Sequence, residues 1–322
     1  MNLLRYLPKN TKIDFIGARW WAFAFTGITI AASIASILLQ GFNLGIDFTG
    51  GVLVEIRREQ ALDLGEMRNK LGTLGFGEVQ LQGVTGAGGL CDNPPGSCAL
   101  IRVQPREGIT GQEQAVVTKI QEALGEEYEF RRTEVVGPKV SSELFTSGVI
   151  AAVLAVLIIA LYVAFRFEWQ FGIAAIVATG HDVFVTTGLF SILQLDFNLT
   201  AVAALLTLAG YSVNDTVVVF DRIRENKRKY KKMPLEELLN LSINQVLSRT
   251  ILTSVTTAAA IIPLFLFGGE ALFNFSAALL FGIVIGTYSS IYVASALLLY
   301  LPRIGGMASA KPDAPEARPA AP

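Results

Sequence analysis

Histidine occurs once in the 322 residues and cysteine only twice. A metal site needs several such ligands converging, and His181, Cys91 and Cys98 do not supply them, so no metal and no cofactor is expected. The two cysteines also lack the C-x-x-C spacing of redox catalysis. Charge is scarce as well: Asp, Glu, Lys and Arg make up 16% of the chain, where a soluble protein carries about a quarter. A formal net charge of −1 points to no nucleic-acid partner. What fills the chain instead is apolar. Hydrophobic residues reach 52% and the mean hydropathy is +0.50. Such a chain leaves much of its burying to a bilayer, and lipid is its first partner.

Six apolar runs are long enough to cross a hydrocarbon core about 30 Å thick as helices. They cover 20–39, 144–165, 171–195, 199–220, 250–267 and 273–301. The first is headed by Trp20 and Trp21, an interfacial anchor. It is longer than the roughly 7–15 residues of a signal-peptide core, so it reads as a retained anchor. Residues 41–143 contain no such run. Strands are expected there near 52–57, 79–84, 99–103 and 128–136, with helices near 64–71 and 111–124. Asp63 is a candidate N-cap for the first helix, and Thr110 with Glu113 a candidate capping box for the second. That order, βαββαβ, is ferredoxin-like.

The fold class expected is therefore an α-helical multi-pass membrane protein of six transmembrane helices, with one α+β ferredoxin-like extracytoplasmic domain. The domains run 1–19, 20–39 (first span), 41–143 (outer domain) and 144–301 (five-helix bundle). A basic loop at 221–248 interrupts the bundle, its part after Pro234 reading as an amphipathic helical stretch at 235–249, and a disordered tail covers 306–322. Basic residues in short loops mark the cytoplasmic side. Arg5, Lys9, Lys12, Arg19, Arg166 and the basic run 222–232 all fall on the side of both termini. Residues 41–143 are then outside the inner membrane, where Cys91 and Cys98, in a Gly/Pro-rich hairpin loop, are better read as a disulfide than as free thiols.

The residue that asks for an explanation is Asp215, with Asn214 beside it, inside the fourth span. A carboxylate in hydrocarbon costs at least about 2.5–3.5 kcal/mol on insertion scales. It is either a structural group bonded to a neighbouring helix, a shallow group reaching interfacial water, or a titrating group in a proton path. Arg249 opens the fifth span on the same side and is its candidate counter-ion, unless it snorkels to headgroups. At helical spacing Arg249, Thr253 and Thr257 share a stripe, which either lines a hydrated path or glues helices together. His181 and Asp182, midway in the third span, are a weaker candidate pair for proton transfer, with a local structural pairing as the alternative. Gly45, Asp47, Gly50, Gly51, Gly137 and Pro138 connect the outer domain to its flanking spans. They are candidate coupling residues, or plain turn residues.

GIDFTGG at 45–51, VVGPKVSSEL at 135–144, HDV at 181–183 and GYSVNDTVVVFDRIREN at 210–226 together resemble the SecD/SecF family of bacterial protein-export membrane proteins. That family belongs to the resistance–nodulation–division type of proton-driven transporters. The resemblance runs from about 20 to 304. It implies a complex with SecD beside the SecYEG channel, drawing preproteins outward at the expense of the proton gradient, with YajC a further candidate partner. By the same similarity Asp215 takes the place of the family's proton-path aspartate and Arg249 that of its basic residue. The resemblance implies a transport subunit and not an enzyme. Two other functions compete: a stand-alone proton-coupled small-molecule exporter, and an intramembrane aspartyl protease using Asp182 and Asp215. The exporter would be expected to have about twice the spans. The protease would be expected to carry GxGD where this chain reads GYSVND.

Overall fold

The computed structural model describes residues 11–84, 91, 94, 96–105 and 113–302. Among these, six helices are long and apolar enough to cross a membrane. The first, α1 (Arg19–Gln40), leads through a two-residue strand β1 (Asn43–Leu44) and a single helical turn α2 (Ile46–Thr49) into a sheet domain. That domain contains β2 (Gly51–Arg57), α3 (Leu64–Gly72), β3 (Gly77–Val84), β4 (Cys98–Pro105), α4 (Glu113–Leu124) and β5 (Glu129–Val136). Its strands lie in the order β3-β4-β2-β5, all neighbours antiparallel, which is the ferredoxin-like arrangement. Inward residues Val52, Val54, Ile56, Ile101 and Val103 meet Met67, Leu71, Val117 and Ile120 of the two helices in one core. Asp63 caps α3 by accepting from the amides of Gly65 and Glu66; Thr110 lies outside the described residues. Cys91 and Cys98 are joined as a disulfide.

The bundle follows as α5 (Pro138–Arg166), α6 (Trp169–Leu193), a two-residue strand β6 (Asp196–Phe197), α7 (Leu199–Lys229), α8 (Leu235–Phe267) and α9 (Gly269–Tyr288). The sixth span continues through a π-helical turn at Ser289–Ala294 into Ser295–Leu297. α6, α7 and the sixth span are the buried centre, while α1, α5 and α8 show most of their apolar surface. Close approach explains the glycines there. A Cβ at Gly188 would stand 2.1 Å from Ser33 Oγ, and one at Gly282 2.4 Å from Leu208. Helices in lipid associate through such contacts because no hydrophobic effect drives them together.

Two boundaries differ from the sequence reading. α5 starts at Pro138, six residues before its apolar run, because Pro at the first helical position is pre-organised for a helix. Within the basic 221–248 segment the helix start at Pro234 holds, but the charged stretch before it is helix as far as Lys229, and only residues 230–234 separate α7 from α8. Lys227, Arg228 and Lys229 occupy the last turn of α7, where cations oppose the helix dipole. Leu238, Leu239, Ile243 and Leu247 of α8 pack on Phe220 and Ile223 of α7 and on Phe15 and Ile16. The amphipathic stretch and the fifth span thus form one helix. Asn244 and Asn240 fasten the incoming chain to it through the backbone of Ile13 and Ile16. The 306–322 tail lies outside the described residues.

Candidate functional site

α7 brings polar groups to two places inside the bundle. The first is Asp182 on α6, which is fully buried. Its Oδ2 accepts hydrogen bonds from Ser212 of α7 (2.5 Å) and from Ser289 at the start of the π-helical turn (2.6 Å). Its Oδ1 lies 2.9 Å from His181 Nδ1. Three helices therefore meet on one carboxylate, with Gly286 packed beside it. His181 is also buried, and its Nε2 has no partner. The next serine along, Ser290, bonds the Thr216 hydroxyl at 2.9 Å. The wide π-helical turn thus turns two consecutive serines inward, one to each of two helices. Such turns occur mostly singly and often at functional sites.

The second place is Asp215, one residue before Thr216. It is 4% exposed, on the side of α7 that meets α8, and its Oδ2 makes no hydrogen bond. The groups that act on it come from α8: the Thr250 hydroxyl and the Arg249 guanidinium. Thr250 is fully buried, and its own hydroxyl oxygen lacks a completed hydrogen bond. Arg249 is exposed and acts on Asp215 through its field, not as a closed ion pair. Thr253 and Thr257 are half-buried, and their hydroxyls bond the backbone of α8 itself, at Thr250 and Thr253. Close by, Tyr211, Ser254 and Thr287 form a hydroxyl chain across α7, α8 and α9.

Asn214 does not join either centre. It is exposed, in line with Thr207 and Gly210 on the outer side of α7, and Thr256 is exposed on α8. The two carboxylates do not share a proton as a protease dyad would, because the oxygens of Asp182 are committed to His181, Ser212 and Ser289.

On the sheet-domain side, Asp47 Oδ2 accepts from the backbone N–H of Leu199 (2.9 Å), the first residue of α7. Gly45 donates to Phe197 O (2.9 Å). Gly51 has φ +123°, and a Cβ there would stand 2.4 Å from Val103 O, so only glycine fits. Gly137 and Pro138 form the N-terminus of α5. The serines Ser212, Ser289 and Ser290, together with Thr250, were not singled out in the sequence. A hydroxyl in an apolar helix is as often satisfied by its own backbone, so only the packing reveals which ones reach across.

Comparison with known proteins agrees on one family. Residues 116–303 match the family described as "Protein export membrane protein SecD/SecF, C-terminal", and residues 35–61 match the "SecD/SecF GG Motif". The protein translocase subunit SecF of Rickettsia akari (strain Hartford) is 42% identical over 92% of this chain and 94% of its own length. That of Vibrio alginolyticus is 44% identical over 93% of each. Among solved structures, SecDF from Thermus thermophilus, a translocon-associated membrane protein, superimposes with a TM-score of 0.80 at 36% identity. The match covers 93% of this chain but only 39% of that one. SecDF in a super-membrane-facing form gives a TM-score of 0.64 at 38% identity, over 90% and 39%.

Proposed function

The chain belongs to the SecD/SecF family of protein export membrane proteins, and from that membership we propose how it works. It is a multi-pass membrane subunit of Sec protein export, a transport role. On our reading it pairs with SecD beside the SecYEG channel, with YajC a further partner. It uses the proton gradient to promote movement and release of preprotein on the outer face of the inner membrane, and it performs no enzymatic reaction.

The observation that carries this reading is Asp215. A carboxylate costs free energy inside a membrane, and burial without a partner adds to the cost. Asp215 bears both, with one oxygen unsatisfied and a cation one helix away. That combination suits a group that gains and loses a proton as α7 and α8 shift. The outward faces of α7 and α8 support a partner subunit. Thr207, Gly210 and Asn214 on α7, with Arg249 and Thr256 on α8, are exposed polar or small residues on the bundle surface. A second membrane protein seated there removes them from lipid and lets its helices pack closely against these small and polar positions. The basic residues Arg166, Arg222, Arg224, Arg228, Lys229, Lys231 and Lys232 gather at the end away from the sheet domain. By the positive-inside rule that end, with both termini, is cytoplasmic. The connectors at 45–51 and 137–138 carry helix movement to the sheet domain.

The test is Asp215→Asn in the full complex. The variant is expected to assemble with SecD in normal amount and to lose the part of preprotein export that depends on the proton gradient. Export at the parent rate, with the parent's dependence on the gradient, would make Asp215 a structural group.

A further inference from the structure

Most ion pairs of the sheet domain join residues of that domain and lie at its surface: Arg57–Glu129, Arg58–Glu127, Arg131–Glu55 and Arg132–Glu134. Arg102 is different. It stands in the middle of β4, is 5% exposed, and reaches out of the domain to the membrane bundle. One guanidinium nitrogen lies 2.8 Å from Asp196 Oδ2 on β6, the turn between α6 and α7. The other donates to Asn43 Oδ1 on β1 at 2.9 Å. Asn43 in turn donates to Asp196 Oδ1 at 2.7 Å, so the three side chains close a ring. Around it, β1 and β6 pair in parallel, Asn43 opposite Asp196 and Leu44 opposite Phe197. Phe197 packs against Phe42, Phe48 and Phe190, and Asp47 caps α7 two residues beyond β6.

A buried ion pair is weak evidence for stability, since two charges must be stripped of water and a hydrophobic substitute often serves as well. What Arg provides here is a planar fork that fixes direction as well as distance. We propose that Arg102, with Asp196 and Asn43, is a positioning latch that clamps the sheet domain to the first turn of α7. The domain and the helix carrying Asp215 then move as one rigid body. On this reading the 45–51 segment is a rivet and not a joint, and any movement of α7 reaches the outer domain undiminished. Only the functional arm of the test below rests on the export reading.

The experiment uses the chain assembled with SecD in liposomes, with spin labels on cysteines placed at Glu122, exposed on α4, and at Thr200, exposed in the first turn of α7. The parent should give one narrow distance that stays the same when a proton gradient is imposed. Arg102→Met should broaden that distance and lower export several-fold while proton flux through the complex continues, a loss of coupling that simple misfolding does not produce. Arg102→Lys keeps the charge without the fork and should fall between. The exchanged pair Arg102→Asp with Asp196→Arg should narrow the distance again. A narrow distance surviving in Arg102→Met, or a parent distance that moves by several ångströms under the gradient, overturns the latch. If parent export ignores the gradient, the proposed function fails, and the distances still decide the latch.

Discussion

Asp182 and Asp215 are both carboxylates inside the bundle, and α7 helps surround each of them, yet their environments are opposite. Asp182 receives one hydroxyl from α7, another from the sixth span and a histidine nitrogen from its own helix. Asp215 has an oxygen that nothing satisfies, facing a helix whose nearest contributions are one hydroxyl and the field of an exposed arginine. A carboxylate with both oxygens matched holds its helices in one arrangement, whereas one with an unmatched oxygen is costly as it stands. The difference teaches where this bundle is built to be fixed and where it is built to change. α6, α7 and the sixth span are pinned together at Asp182. α8 meets α7 at Asp215 without an equivalent pin.

The largest effect that would break this comparison is on stability. Asp182→Ala removes three interactions at once. Interhelical hydrogen bonds in membranes average about 0.6 kcal/mol and reach about 1.7, so the loss should be about 2 kcal/mol or more. It should be read as a lower melting temperature of the purified complex, with export falling only in step with its abundance. Asp215→Asn should go the other way, melting at or above the parent, because a neutral amide is cheaper to bury than an unpaired carboxylate. Equal destabilisation by both substitutions would erase the distinction.

Smaller effects sharpen it. Ser212→Ala and Ser289→Ala each remove one donor to Asp182 Oδ2 and should each cost about 0.6–1.7 kcal/mol. Together they should cost more than their sum, since the second leaves that oxygen with no donor. Thr250→Val, next to Asp215, should be close to neutral in the same melting experiment. A loss as large as that of the serines would mean that Thr250 already satisfies Asp215.

Much of this architecture was legible in the sequence. The six spans follow from apolar runs, and the sheet domain from short strands between helix caps. The side-chain period of a strand and the Asp63 cap are local signals, and both survive folding. Asp215 could be found for the same reason, because one charge in an apolar run stands out. Its counterpart Asp182 stood out too, with His181 beside it, but the serines that reach it from other helices did not. Ser212 and Ser289 are small hydroxyls in helices, and whether such a group bonds its own turn or a neighbour depends on helix rotation and on a π-helical turn. The sequence pattern carries neither. The length of α7 was missed because the charges after Phe220 were read as loop, while Ile223, packed on Leu238 and Ile243 of α8, supplies enough burial to keep that segment helical. Arg102 and Asp196 were likewise unreadable, being ordinary charges until the fold brings β4 against β6.

A third carboxylate, Asp14, tests the comparison outside the membrane. It is well provided with donors, as Asp182 is, but it stands in water. The backbone N–H of Gly17 (2.8 Å) and the side-chain amide of Asn240 (2.7 Å) both donate to its Oδ1. The Gly17 bond first, then the Asn240 bond, and last the charge of Arg19 hold its carboxyl below the usual value, against a small opposing effect of burial. A carboxyl with a depressed folded value stabilises the folded state at pH above its unfolded value, about 3.9. That contribution disappears as pH falls through the lower folded value. The parent should therefore melt slightly above Asp14→Asn at pH 7, and the gap should close below about pH 4 as Asp14 takes up its proton. Because water competes for every bond Asp14 makes, the gap should be on the order of 1 °C, far below the shift for Asp182→Ala. A gap that grows on acidification would mean that folding raises the value of Asp14 instead of lowering it. A gap as wide as that of Asp182 would show that matched donors and not the surrounding lipid decide how much such a carboxylate contributes.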